Sequence, residues 1–186
     1  MMKPLSLIYL YLFFLIALTA CGDELSNKEK QKVESALSDS LLATTESWDV
    51  DMEIITDGLK KVHLTGSYAA TYNEEDVNET RIKGPVFIEV FDSSGTVKTT
   101  VNADRAVYYS EESAFEFFGD VDVKSSSGRG LQSEYLEWDR AKNRIFTPKF
   151  VIVTTPNDSL AGTGFRGKAD LSRYTILEPS GEVVLN

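Results

Sequence analysis

Three carboxylates, Asp104, Glu134 and Glu137, are the residues here that could most readily do acid–base chemistry. A pair of carboxylic acids is the catalytic set of most glycoside hydrolases. These three recur at the positions of an internal repeat that flank a shift in the apolar residues, from 101 and 103 to 106 and 108 in the first copy, which is typical of a bend or bulge in a strand. Carboxylates in strands usually face water. The pattern therefore predicts solvated side chains at a bulge and no catalytic residue.

Cysteine and histidine each occur once, as Cys21 and His63. A protein metal centre built from these residue types needs several of them, so no metal site is predicted. His63 lies in the alternating run Val62, His63, Leu64. In a strand this alternation places His63 on the outward face, away from the core.

The segment Gly162 to Gly167 spells the dinucleotide-binding fingerprint GxGxxG, and Glu182 follows about 20 residues later. That fingerprint requires a strand leading directly into a helix whose N-terminus holds the pyrophosphate. No helical stripe follows Gly167 before Pro179. We interpret these glycines as places where a strand bends or backbones approach closely, and expect no cofactor.

The N-terminus is typical of a secreted lipoprotein. Lys3 precedes an apolar run, Leu5 to Leu18, that is shorter than the roughly 20 residues of a spanning helix. The stretch ending at Cys21 resembles the lipobox of bacterial lipoproteins, which predicts a signal peptide over residues 1–20 and a lipid anchor on Cys21. An uncleaved anchor helix is the alternative. Residues 21–47 are polar with one narrow helical stripe, which favours a tether.

The charge balance limits the partners. The chain has 19 basic and 29 acidic residues, a formal net charge of −10. Nucleic-acid binding needs clustered Lys and Arg, and the sequence shows no basic stripe. An acidic domain is also expected to be a poor receptor for phosphorylated sugars, whereas a dry apolar slot could hold acyl chains.

A repeat organises the rest of the chain. The segment from Val101 to Val123 matches that from Leu131 to Val153 at an offset of 30 residues, and looser copies lie on either side. Apolar and polar residues alternate as in strands with one buried face, and turn clusters fall at 92–95, 125–130, 140–143 and 156–159. Residues 48–186 are therefore predicted to be one all-β domain of short antiparallel strands that share a core.

Two features upstream of this repeat give local predictions. From Trp48 an alternating strand leads to Asp57 and Gly58, the sequence of a two-residue hairpin turn. The acidic stretch 72–81 is predicted to be a surface loop.

The apolar side chains of this repeat could enclose a ligand. Ordinary core filling explains any single aromatic residue, but the set as a whole allows an interior large enough for an acyl chain. Phe115 and Phe117 should point one way and Phe118 the other. The predicted slot lining is Val101, Phe115, Val121, Val123, Leu131, Val151 and Val153.

These residues resemble those of the LptC family of lipopolysaccharide export, in a lipoprotein form. The similarity lies in Val101 to Asp104 with Tyr108, in Gly119 to Val121, in Leu131 to Asp139, and in Gly162 to Phe165 with Tyr174 to Ile176. It implies an open twisted β-jellyroll that receives lipopolysaccharide from an inner-membrane ABC transporter. The family passes the lipid to a periplasmic bridge protein of the same fold. Better-known members use a transmembrane helix where this chain has Cys21.

Two other functions remain open at this point, a hydrolase of envelope polysaccharide and a β-rich scaffold that binds only protein. The transport hypothesis predicts no enzyme. It predicts lipid anchoring on the periplasmic side of a Gram-negative membrane, which we expect to be the inner one. It also predicts that the uncharged strand Val183, Val184, Leu185 is an edge to which the bridge adds its own strand. The transporter would then contact the other end of the sheet, near 48–55.

Overall fold

The computed structural model describes residues 43–74 and 77–180, and this part of the chain forms nine β-strands. The strands are β1 Thr45–Thr56, β2 Leu59–Glu74, β3 Val77–Phe91, β4 Val97–Tyr109, β5 Ala114–Ser125, β6 Gly130–Asp139, β7 Arg144–Thr154, β8 Ser159–Lys168 and β9 Tyr174–Ser180. They form one sheet in chain order, each antiparallel to the next. Among the described residues β1 and β9 are the edges. The predicted all-β, open antiparallel fold is confirmed.

The turns lie where the sequence predicts them. Backbone hydrogen bonds of 3.0 to 3.2 Å close the turns after β3, β5 and β6, donated by the Gly95, Gly128 and Asn143 amides. In the first hairpin Asp57 and Gly58 have φ values of 53° and 73°, the left-handed pair that a two-residue type I′ turn requires. β1 begins at Thr45, three residues before the predicted Trp48.

The predicted surface loop at 72–81 is wrong. Except for residues 75 and 76, this stretch belongs to the ends of β2 and β3, where Tyr72 pairs with Glu79 and Asn73 with Asn78. The Thr71 and Thr80 hydroxyls are 3.0 Å apart across the pair. This stretch is in strands because its backbone is paired between β2 and β3, and the charge of Glu79 is compensated there by an ion pair with Arg81.

A line of bulges crosses the sheet. The register of successive strand pairs shifts at Thr65/Tyr68, Lys83/Val86, Asn102/Arg105, Phe118/Val121, Ser133/Glu137 and Thr147/Phe150. We call this line the crease. A bulge changes which face the following residues use, so β4 buries Val101 and Ala103 before the crease and Ala106 after it. The bulge predicted from the apolar parity is confirmed.

The crease divides the sheet into two halves. The first half lies on the side of the turns after β1, β3, β5 and β7, and the second half on the side of the turns after β4, β6 and β8. Buried residues of both halves belong to one apolar cluster. The Thr99 hydroxyl of the first half donates a buried 3.2 Å hydrogen bond to the Ala169 carbonyl of the second. The halves therefore face each other around one interior.

Candidate functional site

All seven predicted slot residues lie inside this interior, each at most 4% exposed. Four of them form one row across the first half, because Val101 pairs with Val123, Val123 with Leu131, and Leu131 with Val153. Their alternation in sequence places them on one face. The structure thus brings the predicted set together as a tightly packed core.

Aromatic rings cover the inner face of the second half. Phe115 stacks on Tyr108 at 4.5 Å and lies 5.7 Å from both Phe117 and Trp138, measured between ring centroids. Phe118 lies on the opposite face, where the Arg105 guanidinium sits 5.0 Å from its ring. The predicted opposite orientation of Phe117 and Phe118 is confirmed.

Some aromatic residues of the predicted set do not contribute to the interior. Phe87 and Phe150 are 36% and 52% exposed on the outer face of the first half. Phe150 instead borders a shallow outer pocket of about 360 Å³ beside Ile152 and Gln132. The aromatic count therefore overstated the size of the interior, because strands of this sheet carry apolar residues on both faces.

The interior has a mouth where the ends of the two halves meet. A pocket of about 340 Å³ lies there, with Val62, Val90 and Phe91 of the first half facing Trp138 and Arg140 of the second. The Trp138 indole Nε1 is the one buried side-chain polar atom without a hydrogen-bond partner in the described part of the chain. A buried donor without an acceptor is costly.

The candidate catalytic carboxylates are not brought together. Asp104 and Glu134 are exposed beside the crease. Glu137 lies opposite Glu116 on the outer face and accepts a 2.9 Å hydrogen bond from the Tyr135 hydroxyl. Glu137 is thus an acceptor for an outward-facing side chain, and the exposure of Asp104 and Glu134 agrees with the prediction of solvated groups at a bulge.

The tyrosines beside these acids are held as hydrogen-bond donors. Burial, followed by the charge of Glu116, raises the pKa of Tyr109 to about 12, and its hydroxyl donates to Glu116 at 3.3 Å. Burial and the hydrogen bond to Glu137 likewise raise the pKa of Tyr135. Tyr109, Glu116 and Glu137 border an open groove of about 580 Å³ on the outer face of the second half.

The glycine fingerprint lies within β8, as the sequence interpretation expected. A Cβ atom on Gly162 would collide with the Glu178 carbonyl of β9, so the glycine permits close approach of the two strands. Gly164 has a φ of 76°, a conformation that other residues rarely adopt. This segment leads into a turn and β9, a geometry that cannot form the strand-to-helix phosphate site.

His63 is outward-facing, as predicted, and connects the first three strands. Its Nε2 is 2.9 Å from Asp51 of β1, and its Nδ1 is 3.1 Å from Glu89 of β3. The hydrogen bond to Glu89, followed by that to Asp51, raises the pKa of His63. Within the described ranges, no three His, Cys, Asp or Glu residues are grouped closely enough to hold a metal ion.

Two predicted sites lie outside the described residues, the lipid anchor Cys21 and the edge segment Val183, Val184, Leu185. Over residues 43–74 and 77–180, no helix has the length and hydropathy needed to cross a membrane.

A creased, open antiparallel sheet around a single apolar interior defines an open β-jellyroll domain. The family described as "Lipopolysaccharide-assembly, LptC-related" matches residues 8–180, which is most of the chain. The chain therefore belongs to the LptC family. A comparison with curated proteins gives no match.

Membership of this family implies a role in lipopolysaccharide transport and a periplasmic, envelope-associated location. It implies, in general terms, lipopolysaccharide and transporter components as partners. Members of this family are components of a transport system, and the family is not a family of enzymes.

Proposed function

We propose that this protein receives lipopolysaccharide from an inner-membrane ABC transporter and passes it to a periplasmic bridge protein of the same fold. The observation that carries the proposal is the continuous apolar inner face of an open sheet. The buried row runs through Val101, Val123, Leu131 and Val153 across four strands. Such a face can bury acyl chains by the hydrophobic effect alone.

Lipid binding in this interior requires the two halves of the sheet to separate. The seven slot residues are already buried against one another, so an acyl chain must replace side-chain contacts with its own. The mouth offers the point of insertion, since Val62, Val90 and Phe91 present an apolar surface there. The crease can act as the hinge because bulges concentrate bending in a few residues per strand.

Among the described strands, β1 and β9 are opposite edges of the sheet, which gives the proposed lipid transfer a direction. A partner that adds a strand to an edge extends both the backbone ladder and the apolar face. We assign the transporter to the β1 side and the bridge protein to the C-terminal side, where Val183, Val184 and Leu185 follow β9. Trp48 and Ile55 of β1 are 67% and 60% exposed, which supports a partner at that edge.

Lipidation of Cys21 would hold the domain at the periplasmic face of the inner membrane without a spanning helix. A lipid chain contributes about 0.8 kcal/mol per buried methylene, so a multiply acylated cysteine anchors stably. Residues 21–47 would then form the tether between membrane and domain. Detergent phase partitioning tests this assignment: wild-type mature protein should enter the detergent phase and Cys21→Ala the aqueous phase.

Site-specific photo-crosslinking in living cells tests the transport route. A photoreactive residue at Val123 or Val151 should form adducts that stain for lipopolysaccharide. The matched controls are the adjacent outward positions, Asp122 and Ile152, which should give few. Strong adducts at Asp122 with none at Val123 would contradict the assigned inner face.

The dense packing of the interior favours one alternative, a scaffold that binds only protein. In that case the sheet would bind partners at β1 and β9, and its core would stay closed. The same experiment separates the two functions. A scaffold gives protein adducts from edge positions and no glycolipid adduct from any interior position.

A further inference from the structure

Five basic side chains converge on one pocket of this acidic protein. The turn before β7 contributes Lys142, and the first residue of β7 is Arg144. β8 contributes Arg166 and Lys168, and the turn before β9 contributes Arg173. The pocket measures about 460 Å³, and Tyr174 and Thr175 also line it. Strand pairing places Arg144 opposite Lys168. We call this the basic pocket.

The positive charge of the basic pocket is only partly balanced. Asp139 lies 2.8 Å from Lys142 and 3.9 Å from Arg144. Burial alone would raise the pKa of the Asp170 carboxyl, but hydrogen bonds from Ser172, helped by the nearby charge of Lys168, hold this pKa below its ordinary value.

Apart from this influence of Asp170 on Lys168, the other three cations of the basic pocket have no carboxylate at ion-pair distance among the described residues. Within residues 43–74 and 77–180, Arg166, Lys168 and Arg173 form no ion pair. Cations held together in a concave site raise the local positive potential and favour an anion there.

The basic pocket adjoins the mouth of the interior. Asn143 lines both, and the turn at 140–143 separates them. On the mouth side of this turn Arg140 and Lys61 add two further cations beside Trp138. An amphipathic ligand with its acyl chains at Val62 and Trp138 would therefore have its polar end over this turn.

We infer that the basic pocket binds the phosphate monoester of a phosphorylated glycolipid headgroup. Arginine guanidinium groups suit phosphate because two parallel N–H donors match two phosphate oxygens, and lysine adds a compact charge. The Tyr174 and Thr175 hydroxyls can donate further hydrogen bonds. The inference rests on the proposed transport function for the source of the ligand, since a free sugar phosphate presents the same group.

The test compares a neutralised pocket with an equally neutralised control surface. The pocket variant is Arg166→Gln with Lys168→Gln and Arg173→Gln. The control variant is Lys98→Gln with Lys124→Gln and Lys149→Gln. All six side chains are exposed, so both triple variants should fold, and thermal unfolding checks this. If the pocket variant unfolds, Arg173→Gln alone replaces it.

Binding is measured by thermophoresis of the full chain in a neutral detergent, with three probes. These are lipopolysaccharide, the same lipopolysaccharide after chemical removal of its phosphates, and glucose 1-phosphate. Wild type and the control variant should bind phosphorylated lipopolysaccharide at least tenfold more tightly than the dephosphorylated form. The pocket variant should bind both forms equally. Glucose 1-phosphate should compete with phosphorylated lipopolysaccharide for wild type and the control variant, but not for the pocket variant.

The three probes distinguish failure of the pocket from failure of transport. If the pocket variant retains the preference for phosphate, the inference is overturned and the transport proposal stands. If wild type binds glucose 1-phosphate through the pocket but neither lipopolysaccharide, the pocket stands and the transport proposal fails. If wild type binds none of the three probes, both fail.

Discussion

Adjacent residues of β7 lie in opposite surroundings. Val151 is fully buried, whereas Ile152 is 38% exposed on the outer face. We predict that Val151→Asp destabilises the fold by at least ~3 kcal/mol, because it buries a carboxylate without a partner. Ile152→Asp is the matched control and should change the free energy of unfolding by less than about 1 kcal/mol. Urea unfolding measures both, and equal losses would contradict the assigned faces.

His63 should make stability depend on pH. Its folded-state pKa is raised above the ordinary value of 6.5 by Glu89 and then Asp51. Its stabilising contribution is therefore complete below pH 6.5 and is lost as the pH rises through the folded-state value. The free energy of unfolding of wild type should fall over this window more than that of His63→Gln. Parallel curves between pH 6 and pH 9 would show that His63 contributes nothing.

At the scale of the strands, the crease depends on close backbone approach. A Cβ atom on Gly84 of β3 would collide with the Asp104 carbonyl of β4, and the residues on either side of Asp104 are paired with β3, which limits how far this carbonyl can move. We predict that Gly84→Ala destabilises the fold by about 1–3 kcal/mol. Gly130→Ala is the control, because its Cβ would meet neighbours only at ordinary contact distances of 3.5 Å and beyond. Denaturant unfolding that gives equal stabilities for the two variants would contradict this account.

The strands show what local pattern can and cannot predict. Alternation gave the buried faces of β4 to β7 and the bulge in β4, because each depends on residues close in sequence. It did not predict that bulges in six strands align into one crease, since that requires the register of every pair. The misassigned loop at 72–81 has a related cause. A charged stretch of this kind is compatible with a strand as well as with a loop. Only the backbone pairing of the stretch with a neighbouring strand distinguishes the two.

At the scale of the whole molecule, the sequence predicted the residues of the interior but not the basic pocket. The interior residues followed from the repeat, but the net charge of −10 concealed the basic pocket. Its cations are spread from Lys142 to Arg173, and only the pairing of β7 with β8 brings them together. Net charge is an average over the surface and carries no information on position. A correct prediction of the register between β7 and β8 would have placed Arg144 opposite Lys168 and so indicated the basic pocket.

The proposed direction of transport gives a prediction for the whole molecule. Deletion of residues 183–186 should abolish binding of the bridge protein, because it removes the segment to which we propose the bridge adds its strand. Contact with the transporter at the β1 side should remain. Pull-downs with each partner measure both contacts. A truncated protein that captures the bridge protein at wild-type affinity would exclude this edge as the docking strand.

Since strand order equals chain order, each hairpin needs only the one before it to complete its backbone pairing. The loops that must close are short, which keeps the entropic cost of each step small. A chain emerging N-terminus first from a ribosome or an export channel can therefore assemble this sheet strand by strand, with one growing edge. That edge advances from β1 towards β9, so β9 is the last of the described strands to pair, and the segment proposed to receive the bridge protein follows it in the chain.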